Sequence, residues 1–424
     1  MYISVSYIVI VLVLCGISLF RRKYSKNNLE SEVAEAVGIY VGTKDENLRF
    51  PDETFKRRVL YWLTPGIDTT YFAMITLKKL DKLYGGTGYD SFVSEKKNKI
   101  EGFLRKHFDE TTGGMKHNIE ALSTVYGIYC GLTLLKELEG IPALEDRLTY
   151  RRAENLLGKN TIDGMARYLL QCESIEGGFS ISPYRNRPTI IDTDAALSAL
   201  WNLEQKPRNL ENTKRFIWSC KRPYRSAFGF VNTPEENVPC VCLTSYAMRA
   251  LLYSEAIRKD AGNFRVIRDD KDQQVISRED LQTISRFIQL CMEAGNGGFP
   301  KNPEEVPTLF HTDIVLNFVS SLSSQLSIEE IKEKINVLET IRWTKQRESK
   351  GGGFSFEPSY LPNVYSTRSG IVILSNLSKL FKDMSKFIIS DGTSTYNKHR
   401  QFLHDCFDEN VGGFSGYKMA LAGR

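Results

Sequence analysis

The chain has few of the residues that cross-link a protein or draw it to nucleic acid. Its 424 residues include only eight cysteines and five histidines. So low a cysteine content excludes a scaffold built on disulfides. Of its 56 Lys and Arg residues, four lie within residues 21–26, and the remaining 52 nearly balance the 51 acidic residues. No basic field remains, so we predict no nucleic-acid partner.

Long apolar runs are also scarce, and the one that stands out lies at the beginning of the sequence. Tyr2 to Phe20 carries no charge and as a helix would span roughly 28 Å, close to the thickness of a bilayer core. A cleaved signal peptide usually carries its positive charge before the apolar run, whereas here Arg21, Arg22 and Lys23 follow it. We therefore expect a transmembrane anchor at residues 1–22 and a linker at 23–50. By the positive-inside rule, the protein is single-pass with its globular domain, residues 51–424, in the cytoplasm.

No strand alternation, glycine-rich phosphate loop or nucleophile elbow stands out, but a glycine-aromatic motif recurs. Its aromatic or Met position steps by 64, 51, 69, 55 and 60 residues. Each interval has room for two helices and a loop. The motif positions are Gly113-Gly114-Met115, Gly177-Gly178-Phe179, Phe228-Gly229-Phe230, Gly297-Gly298-Phe299, Gly352-Gly353-Phe354 and Gly412-Gly413-Phe414.

The segments around each motif differ in polarity. An amphipathic stretch precedes most motifs, and a strongly apolar run, as at residues 192–201, follows each polar loop. A helix that is apolar on all sides is buried on all sides. The sequence thus predicts an all-α protein of six helix pairs and a final half-repeat, with polar outer helices around apolar inner ones. The amphipathic stretches share a cysteine, interpreted as a small packing residue: Cys172, Cys220, Cys291 and Cys406.

The apolar runs begin with residues that suggest helix caps. Asp68, Asp192 and Ser366 are ordinary N-cap types. In the two neighbouring repeats of the second half, Cys240 and His311 stand at that place instead, and Cys242 follows Cys240. Both are zinc-ligand types, although packed thiols and a hydrogen-bonded histidine would also account for them.

An outer helix, a Gly-Gly-Phe motif, a Pro-containing loop and an inner helix together resemble the protein prenyltransferase β-subunits and the wider prenyltransferase and squalene-cyclase repeat group. The resemblance covers about residues 52 to 424 and implies an α/α toroid. It implies a zinc site at Cys240, Cys242 and His311, where the family has Asp in place of Cys240. Asp313 is a candidate fourth ligand or a partner of the ligands.

This resemblance also implies an activity, the transfer of an isoprenoid from its diphosphate to a cysteine thiol. Arg185, Arg187 and Arg368 are the candidates to hold the diphosphate, and Tyr365 could donate to it. The implied partners are an isoprenoid diphosphate or other lipid and a second subunit of the family's α type. One departure is the loop before Cys240, residues 231–239, which carries two acids and no base where the family has basic residues.

Two other functions stay open. The resembled group includes class II terpenoid cyclases, which protonate their substrate with an aspartic acid, and Asp192 and Asp194 could supply one. The motif is incomplete, because Ala195 stands at its last position. The group also includes toroids that bind a lipid or a protein without catalysis, since a fold alone does not determine an activity.

Overall fold

The computed structural model describes residues 64–117, 121–139, 150–259, 276–322, 335–356, 358, 362–389 and 392–416. The anchor and linker predicted for residues 1–50 lie outside this range. No helix of the described residues has both the length and the hydropathy of a membrane span. The predicted all-α toroid is confirmed: within this part of the chain the only strands form three short antiparallel pairs.

Six helices form the inner wall. Most of their residues are buried; in the third of them, only Ile191 is exposed. Each packs against the next, and the last packs against the first, so that the ring is closed. In ring order they are α1 (Ile67–Tyr84), α3 (Val125–Leu138), α6 (Ile190–Asn202), α8 (Val241–Lys259), α10 (Leu309–Leu322) and α12 (Val364–Leu380).

The outer helices cover this ring. The outer helices are α2 (Gly88–His107), α5 (Lys159–Gln171), α7 (Leu210–Ser219), α9 (Arg278–Ala294), α11 (Val337–Lys345) and α14 (Gly392–Asp405). The remaining elements are α4 (Tyr150–Leu157), α13 (Ser385–Ile388), a 3-10 turn at Lys382–Met384, and the pairs Met115–Lys116 with Ser123–Thr124, Lys221–Tyr224 with Ala227–Phe230, and Phe407–Asp408 with Gly413–Phe414. The four repeated outer cysteines are buried, as the packing interpretation requires.

The final half-repeat, predicted as a remainder, completes the ring. Helix α14 packs against α1, and Tyr396 donates to Asp81 across this contact at 2.8 Å. The amide of Gly66 donates to the carbonyl of Phe414 at 3.2 Å. One of the six helix pairs is therefore built from opposite ends of the described chain.

The first residue of an inner helix is tied to the loop of the next repeat by a backbone hydrogen bond. This satisfies an amide that a helix leaves without an internal partner, and it places these helix starts at one end of the ring, which we call the mouth. The bonds run from Ile67 to His117, Val125 to Ile181, Ile190 to Asn232, Val241 to Lys301 and Val364 to Gly416, at 2.8 to 3.0 Å.

A threonine in the first turn of the inner helices sets their register. Its hydroxyl accepts the amide of the motif phenylalanine at 2.8 to 2.9 Å. The threonines are Thr70, Thr193, Thr244, Thr312 and Thr367.

This register corrects the predicted caps. The side chains that cap α3, α6 and α12 belong to Thr124, Thr189 and Asn363, and the last two lie three residues before the predicted caps Asp192 and Ser366. Asp192 and Ser366 lie inside the first turn. Cys240 does precede its helix, whereas His311 lies within α10.

The first glycine of the motif adopts a left-handed conformation that favours glycine. Gly177 and Gly352 have φ of 100° and 89°. A Cβ atom at these positions would lie 2.1 Å from the carbonyl oxygen of Asn212 and 2.2 Å from that of Lys398, both on the next outer helix. The motif is thus explained by close packing between neighbouring repeats.

Candidate active site

The six inner helices pack against one another in order around the ring, so their inward faces surround a central space, which we call the cavity. Outer helices cover their other faces, so their half-buried side chains are those that face the cavity. These recur at helical spacing on successive helices: Phe72, Ile75, Tyr126, Tyr246, Arg249, His311, Ile314, Phe318, Tyr365 and Arg368. Such a lining suits an apolar ligand with a few polar anchoring points.

At the mouth, Cys240, Cys242 and His311 come together. Their candidate ligand atoms all lie within 4.8 Å of one another, and the two sulfurs are 2.9 Å apart. Both cysteines are buried, while His311 is half-buried. Leu243, Tyr246 and Ile314 pack around the thiols. The predicted convergence of three side chains from two neighbouring helices is therefore present.

The start of each helix explains how these side chains are held. Cys240 immediately precedes α8 and Cys242 lies in its first turn, where the positive end of the helix dipole favours a thiolate. The Nδ1 atom of His311 is 2.8 Å from the hydroxyl of Thr308, which precedes α10. This contact leaves Nε2 as the nitrogen that can bind a metal.

The pKa values of the two thiols shift in opposite directions. The hydrogen bond from Cys242 lowers the pKa of the Cys240 thiol against the effect of burial, and His311 adds to this lowering. The same contact with Cys240, together with burial, raises the pKa of Cys242. Cys240 is thus the more acidic thiol of the pair.

These residues fit a zinc ion. Two thiolates and an imidazole from two rigid helix starts are a donor set that zinc prefers. Three protein ligands also match a catalytic site, which keeps one position open.

Asp313, the candidate fourth ligand, is not a member of this group among the described residues. Its Oδ2 atom accepts from Arg368 and, at 3.1 Å, from Ser369. It is fully buried, and burial raises its pKa while Arg368 opposes the rise. The structure therefore places Asp313 beside α12 as the counter-charge of Arg368.

The two aspartates considered for a cyclase serve different neighbours. Asp194 binds Arg249 of the next inner helix through both carboxylate oxygens. Asp192 accepts from the Thr189 hydroxyl at 2.7 Å, and its charge acts on Cys172 of the outer layer. Burial raises the pKa of Asp192 to about 6.

The loop arginines lie apart from the cavity lining. Arg185 and Arg187 are exposed, and Arg187 lies 3.2 Å from Glu235 in the acidic loop before Cys240. This pair explains how that loop can be acidic, because the preceding repeat supplies its counter-charge. Both arginines stay predictions as diphosphate contacts.

Tyr365 has a partner that the sequence analysis did not assign to the site. Its hydroxyl donates to Oδ2 of Asp68 on the neighbouring inner helix, and Nε2 of His117 lies 2.8 Å from Oδ1. Asp68 had been interpreted as a cap only. Asp68 lies two residues before its register threonine, Thr70, whereas Asp192 and Ser366 lie one residue before theirs.

The model of the prenyltransferase alpha-alpha toroid domain family matches residues 7–337 and 326–409. Similar solved structures include protein geranylgeranyltransferase-I of Candida albicans complexed with GGPP, at 11% identity, covering 82% of this chain and 93% of that one, with a TM-score of 0.48. A type II terpene cyclase from Scytonema complexed with geranylgeranyl dihydroxybenzoate is 9% identical, covering 74% and 87%, with a TM-score of 0.44. No curated protein sequence matches the chain.

Proposed function

We propose that this chain, which belongs to the prenyltransferase alpha-alpha toroid domain family, is a zinc-dependent transferase. It transfers an isoprenoid group from its diphosphate to a cysteine thiol. The observation that carries the proposal is the convergence of Cys240, Cys242 and His311 at the mouth of an aromatic cavity. A bound zinc ion would supply a Lewis acid that lowers the pKa of the acceptor thiol.

The chain's own residues account for the rest of the site. Phe72, Tyr126 and Tyr246 offer apolar surface to the isoprenoid, and aromatic faces also favour developing positive charge on its allylic carbon. Thr308 fixes the orientation of His311. An isoprenoid that fills the cavity would displace water from its apolar lining, and this would protect it from hydrolysis.

Arg368 is the favoured contact for the diphosphate. One of its terminal nitrogens binds Asp313, while its buried Nε has no hydrogen-bond partner within the described residues. A guanidinium suits phosphate oxygens because its N–H groups form a planar fork. Lys79, whose pKa burial lowers, interacts electrostatically with Arg368 and Asp313 and adds a second cation.

Metal content and product formation test the proposal together. We expect about one zinc per chain in the wild type, and a thioether product when a cysteine-containing peptide meets a labelled isoprenoid diphosphate. Cys242→Ser should lose both. Cys291→Ala is the matched control, since it removes a buried thiol of the outer layer that interacts with Cys240 but lies outside the group. A wild type without zinc would rule out this function.

A lipid-binding toroid without catalysis is the second candidate. The pairing of Arg187 with Glu235, and of two cavity arginines with buried aspartates, favours it because each pair reduces the positive charge available to a diphosphate. Isoprenoid binding without transfer, in protein loaded with zinc, would support this candidate. A cyclase receives no such support, since Asp194 is held by Arg249 as an ion pair.

A further inference from the structure

A second polar group lies at the mouth, at the same level as the thiols. Asp68, Cys242 and Tyr365 are each the second residue of an inner helix. Because backbone bonds tie these helix starts to the rim, second residues of different helices lie at similar depth. Helix α12, which carries Tyr365, stands between α1 with Asp68 and α10 with His311. The polar group therefore shares the mouth with the Cys-His group.

The contacts arrange the group as a chain from the cavity inward. Tyr365 is half-buried and faces the cavity, and its hydroxyl donates to Oδ2 of Asp68. Asp68 is 3% exposed. Its other oxygen accepts from the Thr69 amide at 2.7 Å and lies 2.8 Å from Nε2 of His117. A ligand in the cavity thus reaches the carboxylate through the tyrosine oxygen.

The surroundings bring the pKa of this carboxylate close to neutral pH. Burial raises the pKa of Asp68 to about 6, although the bond from Tyr365 opposes the rise. Burial lowers the pKa of His117 to about 4, so the ring is neutral at pH 7 and can donate without adding charge. Among the described residues, the titratable groups that face Asp68 are Tyr365, His117, Cys130 and Tyr126. At pH 7 only the aspartate among them carries a charge.

We infer that Tyr365, Asp68 and His117 form an acid–base site that receives the proton lost by the acceptor thiol, an inference that rests on the proposed function. The S–H bond breaks and its proton passes through water in the cavity to the Tyr365 oxygen, while the tyrosine's own proton passes to Asp68. The products of this step are a thiolate and a neutral Asp68. The thiolate then bonds to C1 of the isoprenoid, and the C1–O electron pair leaves with the diphosphate.

His117 and the Thr69 amide act as positioning groups in this step. Both bind Oδ1, so they hold the carboxylate with Oδ2 towards Tyr365. An acid whose pKa is near 6 is well matched to proton transfer near neutral pH.

Single-turnover transfer by the zinc-loaded full chain, measured from pH 5 to pH 9, tests the site. The wild-type rate should fall below about pH 6, where Asp68 is already protonated. Tyr365→Phe should lower the rate at pH 7 by about 100-fold, within the range known for general acid–base groups, while zinc content and peptide affinity stay unchanged. Asp68→Asn should remove the limb near pH 6.

Tyr396→Phe is the matched control. It breaks another tyrosine-to-aspartate bond, to Asp81, outside the cavity, and should keep the wild-type rate and pH profile. Tyr365→Phe with a wild-type rate and profile would overturn the inference.

Infrared spectroscopy provides a readout independent of transfer. In the difference between the wild-type and Asp68→Asn spectra, which cancels the contribution of Asp192, a protonated carboxyl band should appear between pH 7 and pH 5, and it should shift in Tyr365→Phe. If the wild type binds zinc and peptide but transfers nothing, the proposed function fails, and with it the thiol as proton source. The infrared titration then tests the acid–base site by itself, and the absence of the Asp68 band would overturn it.

Discussion

The Nε atom of Arg249 lies 2.8 Å from Oδ1 of Asp194, and a second guanidinium nitrogen binds Oδ2 of the same carboxylate. This ion pair joins two neighbouring inner helices. The aspartate side chain is only 3% exposed, and the arginine sits among the rings of Tyr129 and Tyr246. In so apolar a setting each charge depends on the other.

Asp194→Asn should therefore destabilise the fold strongly. The change leaves a half-buried guanidinium without its counter-charge, which should cost roughly 2–3 kcal/mol of unfolding free energy, less than the ~3–5 kcal/mol of a fully buried pair. Urea titration followed by circular dichroism measures this loss. Arg187→Ala, which breaks the exposed pair with Glu235, should unfold like the wild type. Equal behaviour of the two variants would contradict the structural role assigned to Asp194.

Metal ligation can be followed one residue at a time. Protein loaded with cobalt(II) instead of zinc should show thiolate-to-metal charge-transfer absorption, because Cys240 and Cys242 both ligate. Cys240→Ser should reduce this band, and His311→Ala should keep it but weaken metal affinity. Thr308→Val should weaken affinity by about 10-fold or more, since it removes the hydroxyl that orients the imidazole. An unchanged band in Cys240→Ser would exclude that thiol as a ligand.

The buried carboxyl of Asp192 should make stability depend on pH. Its folded pKa of about 6 exceeds the ordinary 3.8, so the folded chain holds more protons than the unfolded one between those values. The contribution of Asp192 to stability is therefore fully present below about pH 4 and is lost as the pH rises through 6. The difference amounts to roughly 3 kcal/mol at 1.36 kcal/mol per pKa unit.

Asp192→Asn isolates this contribution. The amide oxygen can still accept from Thr189, but it does not titrate. Unfolding free energies of wild type and variant, measured from pH 4.5 to pH 7.5, should diverge, with the variant gaining relative stability as the pH rises. Parallel curves would show that Asp192 has an ordinary pKa.

The motif glycines provide a steric prediction with an adjacent control. Gly352→Ala forces a Cβ to within 2.2 Å of the Lys398 carbonyl at a φ of 89°, and should cost at least about 2 kcal/mol. Gly351→Ala meets no atom within 4 Å and should be close to neutral. The melting temperatures of the two variants provide the comparison, and a neutral Gly352→Ala would argue against the close packing of repeats.

The sequence was sufficient for the repeat, the two helix layers and the Cys-His group, because each leaves a periodic signal or interrupts one. The sequence was not sufficient to predict which residues of different inner helices lie at the same level. Asp68 aligns with Cys242 and Tyr365 rather than with Asp192, and this offset depends on a hydrogen bond between Thr70 and Phe414 at the far end of the chain.

The ion pairs between inner helices could not be predicted from the sequence either. Asp313 and Arg368 occupy equivalent positions on neighbouring inner helices. Their spacing along the sequence would be the same if each were exposed to solvent, so it does not indicate that they pair. Their pairing depends on how far each helix rotates about its axis, which the side-chain volumes of the whole ring determine together. The same holds for Tyr365 and Asp68, whose contact joins the last inner helix, α12, to the first, α1. We call this junction the seam.

The seam also delays the completion of the fold during synthesis on the ribosome. Thr70 and its partner Phe414 are 344 residues apart, so at 5–20 residues per second the first inner helix waits roughly 20 to 70 seconds for its outer partner. During that time the unfinished ring exposes an apolar flank that nascent-chain chaperones would recognise. Ring closure is thus the last and most non-local step, and the tyrosine-to-aspartate contact at the mouth can form only after it.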